Sequence, residues 1–262
     1  MRIATLCFLY FGALFGNYLT DLEESQSIVD FQSLELHTIP NLLSNDKLST
    51  IQNWIEDMMP FCYQDFDNRV GIVWDDYVID IQDSPTLVSI DPVSKYVTIK
   101  GQDVEQYPRS IFSYPSISQI LLKDILPLYL KSVSHHTPLP QTLYMQTFVL
   151  RSLLSPENID KKQHVRWHQD PSEYPNSFAD YTLVLMLSDP EHPLSGWTGG
   201  DLLLKNGFPE TTNPAVKVHP LLNQAVLFNN KKNSHAVTSI KALTNSSRDI
   251  MIINIYLQDP SK

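Results

Sequence analysis

From Leu143 onward the chain breaks into short apolar runs, "LYMQTFVL", "YTLVLMLS", "GDLLLKN", "QAVLFN" and "RDIMIINIYL", separated by polar, proline-rich or glycine-containing turns. Residues of this kind suit a pleated, half-buried surface, and several short strands with turn signals between them make a β-sandwich or barrel. The second half of the chain is therefore expected to be a β-core.

Upstream the pattern changes. "SNDKLSTIQNWIEDMMP" carries Leu48, Ile51, Trp54, Ile55, Met58 and Met59 at helical spacing, with Ser44, Asn45 and Asp46 as capping groups and Pro60 as a stop. Between Gly71 and Lys100, "GIVWDDYVIDI" and "TLVSIDPVSKYVTIK" read as paired strands broken at Asp91-Pro92. A second helix is expected over "PSISQILLKDILPLYLKSV", with Ser116 and Gln119 at capping-box spacing and Pro127 kinking or shortening it. The helices are read as supports packed on one sheet, and the simplest division is one domain over 28–258, with a supporting part 28–140 and a core 141–258. Residues 1–19 resemble a signal peptide or signal anchor: Arg2 precedes an apolar run from Ile3 to Gly16 that gives way to polar sequence. Such a leader would direct the protein to the secretory pathway or outside the cytoplasm; a docked apolar element would leave it cytoplasmic.

Charge narrows the partners. The chain has 29 acidic against 19 basic side chains, a formal charge of -10, and no Lys/Arg-rich run to offset it. A phosphate backbone would be repelled, which disfavours nucleic acid and leaves peptide or small-molecule substrates. The two cysteines, Cys7 and Cys62, make no disulfide framework and have no zinc-type spacing. The histidines carry more information.

In "HVRWHQD" (164–170), a strand ending near His168 would turn His168 and Asp170 to one face. His164 and His168 have helical ligand spacing instead, but Pro171 and "KKQ" give no support for a helix. A His-x-Asp triplet alone is weak, and a surface loop explains it as well. Downstream, His192 and His219 sit beside prolines in loop-like sequence and are assigned to the surface, whereas His235 follows a strand and a polar turn. Two neutral imidazoles and one carboxylate with open coordination positions suit non-haem Fe(II) and oxygen chemistry. Arg248 opens the last β-prone run, where a guanidinium can hold a carboxylate through two charge-assisted hydrogen bonds. A solvated strand-end charge is its alternative reading.

Taken in order, "HQD" at 168–170, "YTLVLMLSD" at 181–189, "WTGGDLLL" at 197–204, "AVLFNNKKNSHAV" at 225–237 and "SRDIMIINIYL" at 247–257 resemble the Fe(II)/2-oxoglutarate-dependent dioxygenases, particularly their prolyl 4-hydroxylase-like branch, over about 140–258. The resemblance implies a mainly β fold, a double-stranded β-helix or jelly roll with helices on its larger sheet. It implies His168, Asp170 and His235 as Fe(II) ligands, Arg248 as the partner of the remote 2-oxoglutarate carboxylate, and Asn254 and Tyr144 as further cosubstrate-binding positions. The implied cofactors are Fe(II) and 2-oxoglutarate, with room for ascorbate; the implied reaction is hydroxylation of a protein or peptide residue, proline favoured, or of a small molecule, with O2 consumed and succinate and CO2 released. The spacing from His235 to Arg248 is longer than the branch's habit, which calls for a bulged turn around "ALTNSS" and leaves Lys241 as a fallback anchor. Three rival readings stand beside this one: an oxidative nucleic-acid demethylase of the same superfamily, a Zn or Mn hydrolase or isomerase with no need of Arg248, and a silent jelly-roll binding module.

Overall fold

The computed structural model describes residues 34–62, 69–82, 85–91, 95–99, 102–106, 110–158, 165–170, 178–188, 196–208 and 215–258. The leader, His164 and His192 lie outside them. The strands are β1 (His37–Ile39), β2 (Arg69–Asp80), β3 (Thr86–Asp91), β4 (Lys95–Ile99), β5 (Gln102–Gln106), β6 (Thr142–Leu154), β7 (Val165–His168), β8 (Tyr181–Met186), β9 (Trp197–Gly199), β10 (Leu202–Asn206), β11 (Val216–Val218), β12 (Ala225–Asn229), β13 (Asn233–Val237), β14 (Ile240–Ala242) and β15 (Ser246–Tyr256). Helices α1 (Asn45–Met58), α2 (Pro115–Ile120) and α3 (Leu126–Ser134) accompany them.

A seven-stranded sheet in the order β1-β12-β8-β15-β6-β2-β3 faces a four-stranded sheet in the order β11-β10-β13-β7, while β4-β5 and β14-β9 form two-stranded pairs. All pairings are antiparallel. This is the expected mainly β jelly roll. Its construction follows from the period of two: on β8 and β15, Leu183, Leu185, Met251, Ile253 and Ile255 join one buried cluster with α1, α2 and α3, whereas Val184, Met186, Ile250 and Ile252 join a second cluster with Leu202, Leu204, Val216 and Val218 of the smaller sheet. Every residue of β8 is buried. That explains why "YTLVLM" is apolar almost throughout rather than alternating, since both faces of this central strand are covered.

The helices depart from expectation at their details. Ser44 is the N-cap of α1, but its side chain makes no capping hydrogen bond. The capping box at Ser116 and Gln119 does not form, because the cap of α2 falls earlier in the chain, at Tyr114, with Pro115 in the first turn. The second helix is also not continuous: Leu121–Ile125 forms a π-turn, with Leu126 N–H donating to the Leu121 carbonyl. Pro127 is the physical cause, since it offers no N–H and its ring would collide with the carbonyl four residues back; the widened turn relieves both.

Candidate active site

The register of the smaller sheet brings the distant candidate ligands together. β13 pairs with β7 so that His235 stands opposite His168, and their ring centroids are 4.0 Å apart. Asp170, two residues beyond His168, places Oδ1 at 3.5 Å from His168 Nε2 and 3.6 Å from His235 Nε2. One nitrogen from each imidazole and one carboxylate oxygen thus lie within 4.8 Å of one another. His168 is on the inward side of β7 and Trp167 on the other, where Lys205 Nζ lies 4.3 Å from the indole centroid.

Two of the three donors are oriented by hydrogen-bonding neighbours. His168 Nδ1 is 2.8 Å from the Arg166 carbonyl, which can only accept, so Nδ1 carries the proton and the Nε2 lone pair is left facing Asp170. The Asp170 backbone is clamped by fully buried Asn230, whose Oδ1 accepts from Asp170 N at 2.9 Å while its Nδ2 donates to the Asp170 and Ala179 carbonyls at 3.1 and 3.0 Å. Gln169 reinforces the same turn by donating to the carbonyls of Asn230 and Lys231, both at 2.9 Å. The Asp170 side chain has its own partner: Thr182 Oγ1 donates to Oδ2 at 2.9 Å and lies 2.8 Å from Asn254 Oδ1. Asn230, Gln169 and Thr182 are site residues that sequence reasoning missed. The asparagine-rich turn "NNKKN" before His235 was the available signal for Asn230; nothing in "YTLVLM" singles out its threonine.

The electrostatics suit a cation. Burial pushes the His235 imidazole down to about 4, Asp170 drawing it up and His168 down by smaller amounts, so it is neutral at physiological pH. Burial also opposes charge on His168 and Asp170; the Asp170 contact nonetheless raises the His168 imidazole, and His235, followed by His168 and Thr182, lowers the Asp170 carboxyl. His235 Nδ1 is buried without a hydrogen-bond partner.

Arg248 is the candidate partner for a carboxylate. It is 6% exposed, its Nε has no hydrogen-bond partner, and no ion pair is made with the described residues. Burial draws its pKa down to about 10, against the upward pull of Asp249, and it stays charged at neutral pH. Gly200 lies against it at φ +75°, and a Cβ there would stand 3.4 Å from Arg248 Nε; at Gly199, φ +85°, it would come within 2.3 Å of the Ser239 carbonyl. The glycine pair therefore lets the β9–β10 connection close over the guanidinium. Asn254 shares the inward face of β15, as the six-residue spacing requires, and is 1% exposed beside Thr182. Tyr144 faces the same side from β6, where it pairs with Tyr256.

The extra residues between His235 and Arg248 form β14, which pairs with β9, and then a turn at 243–245 in which Leu243 N and Thr244 N both donate to the Gly196 carbonyl, at 2.5 and 3.0 Å, the two-to-one pattern of a bulge. One expectation is corrected. Lys241 lies exposed on β14, so the fallback anchor is set aside. His219 is partly exposed and engages Asp201 through Nδ1 at 2.7 Å, away from the triad's own contacts.

Two imidazole nitrogens, a carboxylate oxygen and a buried guanidinium lacking a counter-ion among the described residues match the needs of a divalent metal and a dicarboxylate. Residues 155–256 match the family model of the 2OG-Fe(II) oxygenase superfamily. No curated protein matches the sequence significantly. Among solved structures, IDO from Bacillus thuringiensis is similar with a TM-score of 0.56 at 15% identity, covering 91% of this chain and 100% of that one. HygX from Streptomyces hygroscopicus, solved with nickel and 2-oxoglutarate, gives 0.51 at 12% identity over 90% and 87% of the two chains. A prolyl hydroxylase from Trichoplax adhaerens, solved with a hypoxia-inducible-factor oxygen degradation domain peptide, gives 0.51 at 11% identity over 97% and 94%. At such identities these structures establish the common fold. The matched C-terminal region is a 2OG-Fe(II) oxygenase domain. The protein is accordingly an enzyme, a dioxygenase dependent on Fe(II) and 2-oxoglutarate.

Proposed function

We propose that this dioxygenase is a hydroxylase of the prolyl 4-hydroxylase-like branch, acting on a peptidyl residue, with proline favoured over a small molecule. His168 Nε2, His235 Nε2 and Asp170 Oδ1 hold the Fe(II), and Arg248 pairs with the remote carboxylate of 2-oxoglutarate. Asn254 and Tyr144 line the same inward face. The observation that carries this reading is the buried Arg248, without a counter-ion among the described residues, on the sheet that also orients Asp170 through Thr182. An uncompensated guanidinium in a protein interior is costly, and an anionic ligand removes that cost.

When bound, Fe(II) with 2-oxoglutarate supplies oxidising power drawn from O2, so that one oxygen atom enters the substrate while the cosubstrate leaves as succinate and CO2. The protein's part is orientation and exclusion. The imidazoles present their Nε2 atoms, Asp170 contributes charge, and the apolar cluster around Phe228, whose ring lies 5.0 Å from that of His235, keeps bulk water from one side of the donors. A Zn or Mn hydrolase has no use for Arg248, and the chain's charge of -10 disfavours the nucleic-acid reading.

Anaerobic addition of Fe(II) and 2-oxoglutarate tests the site: a weak visible charge-transfer band is expected, and folded wild-type protein without it overturns the assignment. The substrate class is tested by incubating peptide pools with the complete system. A peptide heavier by one oxygen atom supports it, and oxygen incorporation confined to small molecules refutes the peptide preference.

A further inference from the structure

We propose that Thr182 is a positioning residue for the metal-holding carboxylate, occupying Asp170 Oδ2 so that Oδ1 alone is presented to the ion. The inference rests on the proposed role of the His168, Asp170 and His235 triad.

A carboxylate has two equivalent oxygens and can grip a cation by either or both. Here they are distinguished. Oδ1 is 3.5 and 3.6 Å from the two Nε2 atoms, while Oδ2 accepts from Thr182 Oγ1 at 2.9 Å. Asp170 itself lies beyond the end of β7, where no ladder holds it, so its side chain needs an outside reference. Thr182 is well suited: it is fully buried, it is β-branched and therefore stiff at χ1, and β8 is paired on both sides, with β12 and with β15. The Asn230 clamp fixes the Asp170 backbone, and Thr182 fixes the rotation of the carboxylate; the two constraints are separate.

The hydroxyl also lies 2.8 Å from Asn254 Oδ1, another acceptor, on the inward face of β15 that carries Arg248, so its one proton is shared between this oxygen and Asp170 Oδ2. The Asp170 carboxylate is thereby keyed to the same strand as the carboxylate-binding guanidinium. A one-oxygen grip has a chemical consequence: it leaves the ion more room for a two-point ligand and O2 than a two-oxygen grip would.

The test uses the full chain and Co(II) as the probe, followed by its visible absorption. Thr182→Val, nearly the same shape without the hydroxyl, is expected to weaken Co(II) binding about tenfold or more and to alter the band intensity, as loss of an outer-shell hydrogen bond does. Thr182→Ser, which keeps the hydroxyl, is expected to restore both. Thermal unfolding without metal establishes that the variants fold; if Thr182→Val does not, the contrast between Thr182→Ser and Thr182→Ala carries the same test. Equal affinity and an unchanged spectrum in the hydroxyl-free variant overturn the proposal. If instead Asp170→Ala binds Co(II) as well as wild type does, or wild type binds none, the triad reading itself has failed and Thr182 falls with it.

Discussion

Arg248 and Asp249 are adjacent in the chain and point to opposite faces of β15, and the two faces treat charge in opposite ways. On the helix side, Asp249 is held by Arg151 through two hydrogen bonds of 2.7 Å, and Arg151 also reaches Glu56 of α1 at 2.6 Å. On the inward side, Arg248 is equally buried and has no counter-ion among the described residues. A buried charge with complete partners is a structural device; one without partners is a binding device, because only a ligand completes it. The comparison separates fold from function within two consecutive residues.

It can be broken by removing either arginine. Arg151→Ala leaves Asp249 buried and uncompensated, and should cost about 3–5 kcal/mol in chemical denaturation. If stability is unaltered, the helix-side network is not structural. Arg248→Ala should weaken 2-oxoglutarate binding by about a hundredfold, some ~2.7 kcal/mol, while leaving thermal stability unchanged or higher. A large loss of stability with normal cosubstrate binding would reverse the roles assigned to the two faces.

The comparison is sharpened by Asp75, a second buried acid on the helix side. Its Oδ2 accepts from Ile111 N at 2.6 Å, but Oδ1 is without a partner, and burial pushes its pKa up to about 6. A carboxyl raised on folding binds more protons in the native than in the unfolded chain. Its contribution is therefore most favourable at low pH and declines as pH rises from the unfolded value of 3.8 through about 6. Asp75→Asn should flatten this dependence and raise stability at pH 7.5 by roughly 2 kcal/mol, which unfolding at pH 5 and 7.5 will check. The smallest effect belongs to exposed Lys241: its change to alanine should leave 2-oxoglutarate affinity within about twofold, surface charges being weak contributors. A large loss there would restore Lys241 as the anchor.

The site was partly legible because some of its logic is local. His168 and Asp170 share a face through a two-residue step, and Arg248 and Asn254 share one through six, so strand periodicity alone pairs them. The double-sided burial of β8 was foreshadowed by its unbroken apolar run. Asn230 and Thr182 were not legible in the same way, since the bonds they make to Asp170 span 60 and 12 residues and depend on register. The π-turn before Pro127 was legible as a defect in a helix, but not its form, which depends on how the flanking turns remain packed in the core. The β14 strand was missed because "IKA" acquires strand geometry only by pairing with β9.

Short-range periodicity and side-chain chemistry are enough to set the β-runs, the faces of their side chains, and the residue types able to hold a metal and a carboxylate. The tertiary structure alone decided which carboxylate oxygen faces the imidazoles, which threonine and asparagine hold Asp170, and that Arg248 is left without a counter-ion among the described residues while Asp249 is not. These are matters of register and enclosure. A hydrogen bond or an uncompensated charge exists only once strands distant in the chain are side by side and water is gone.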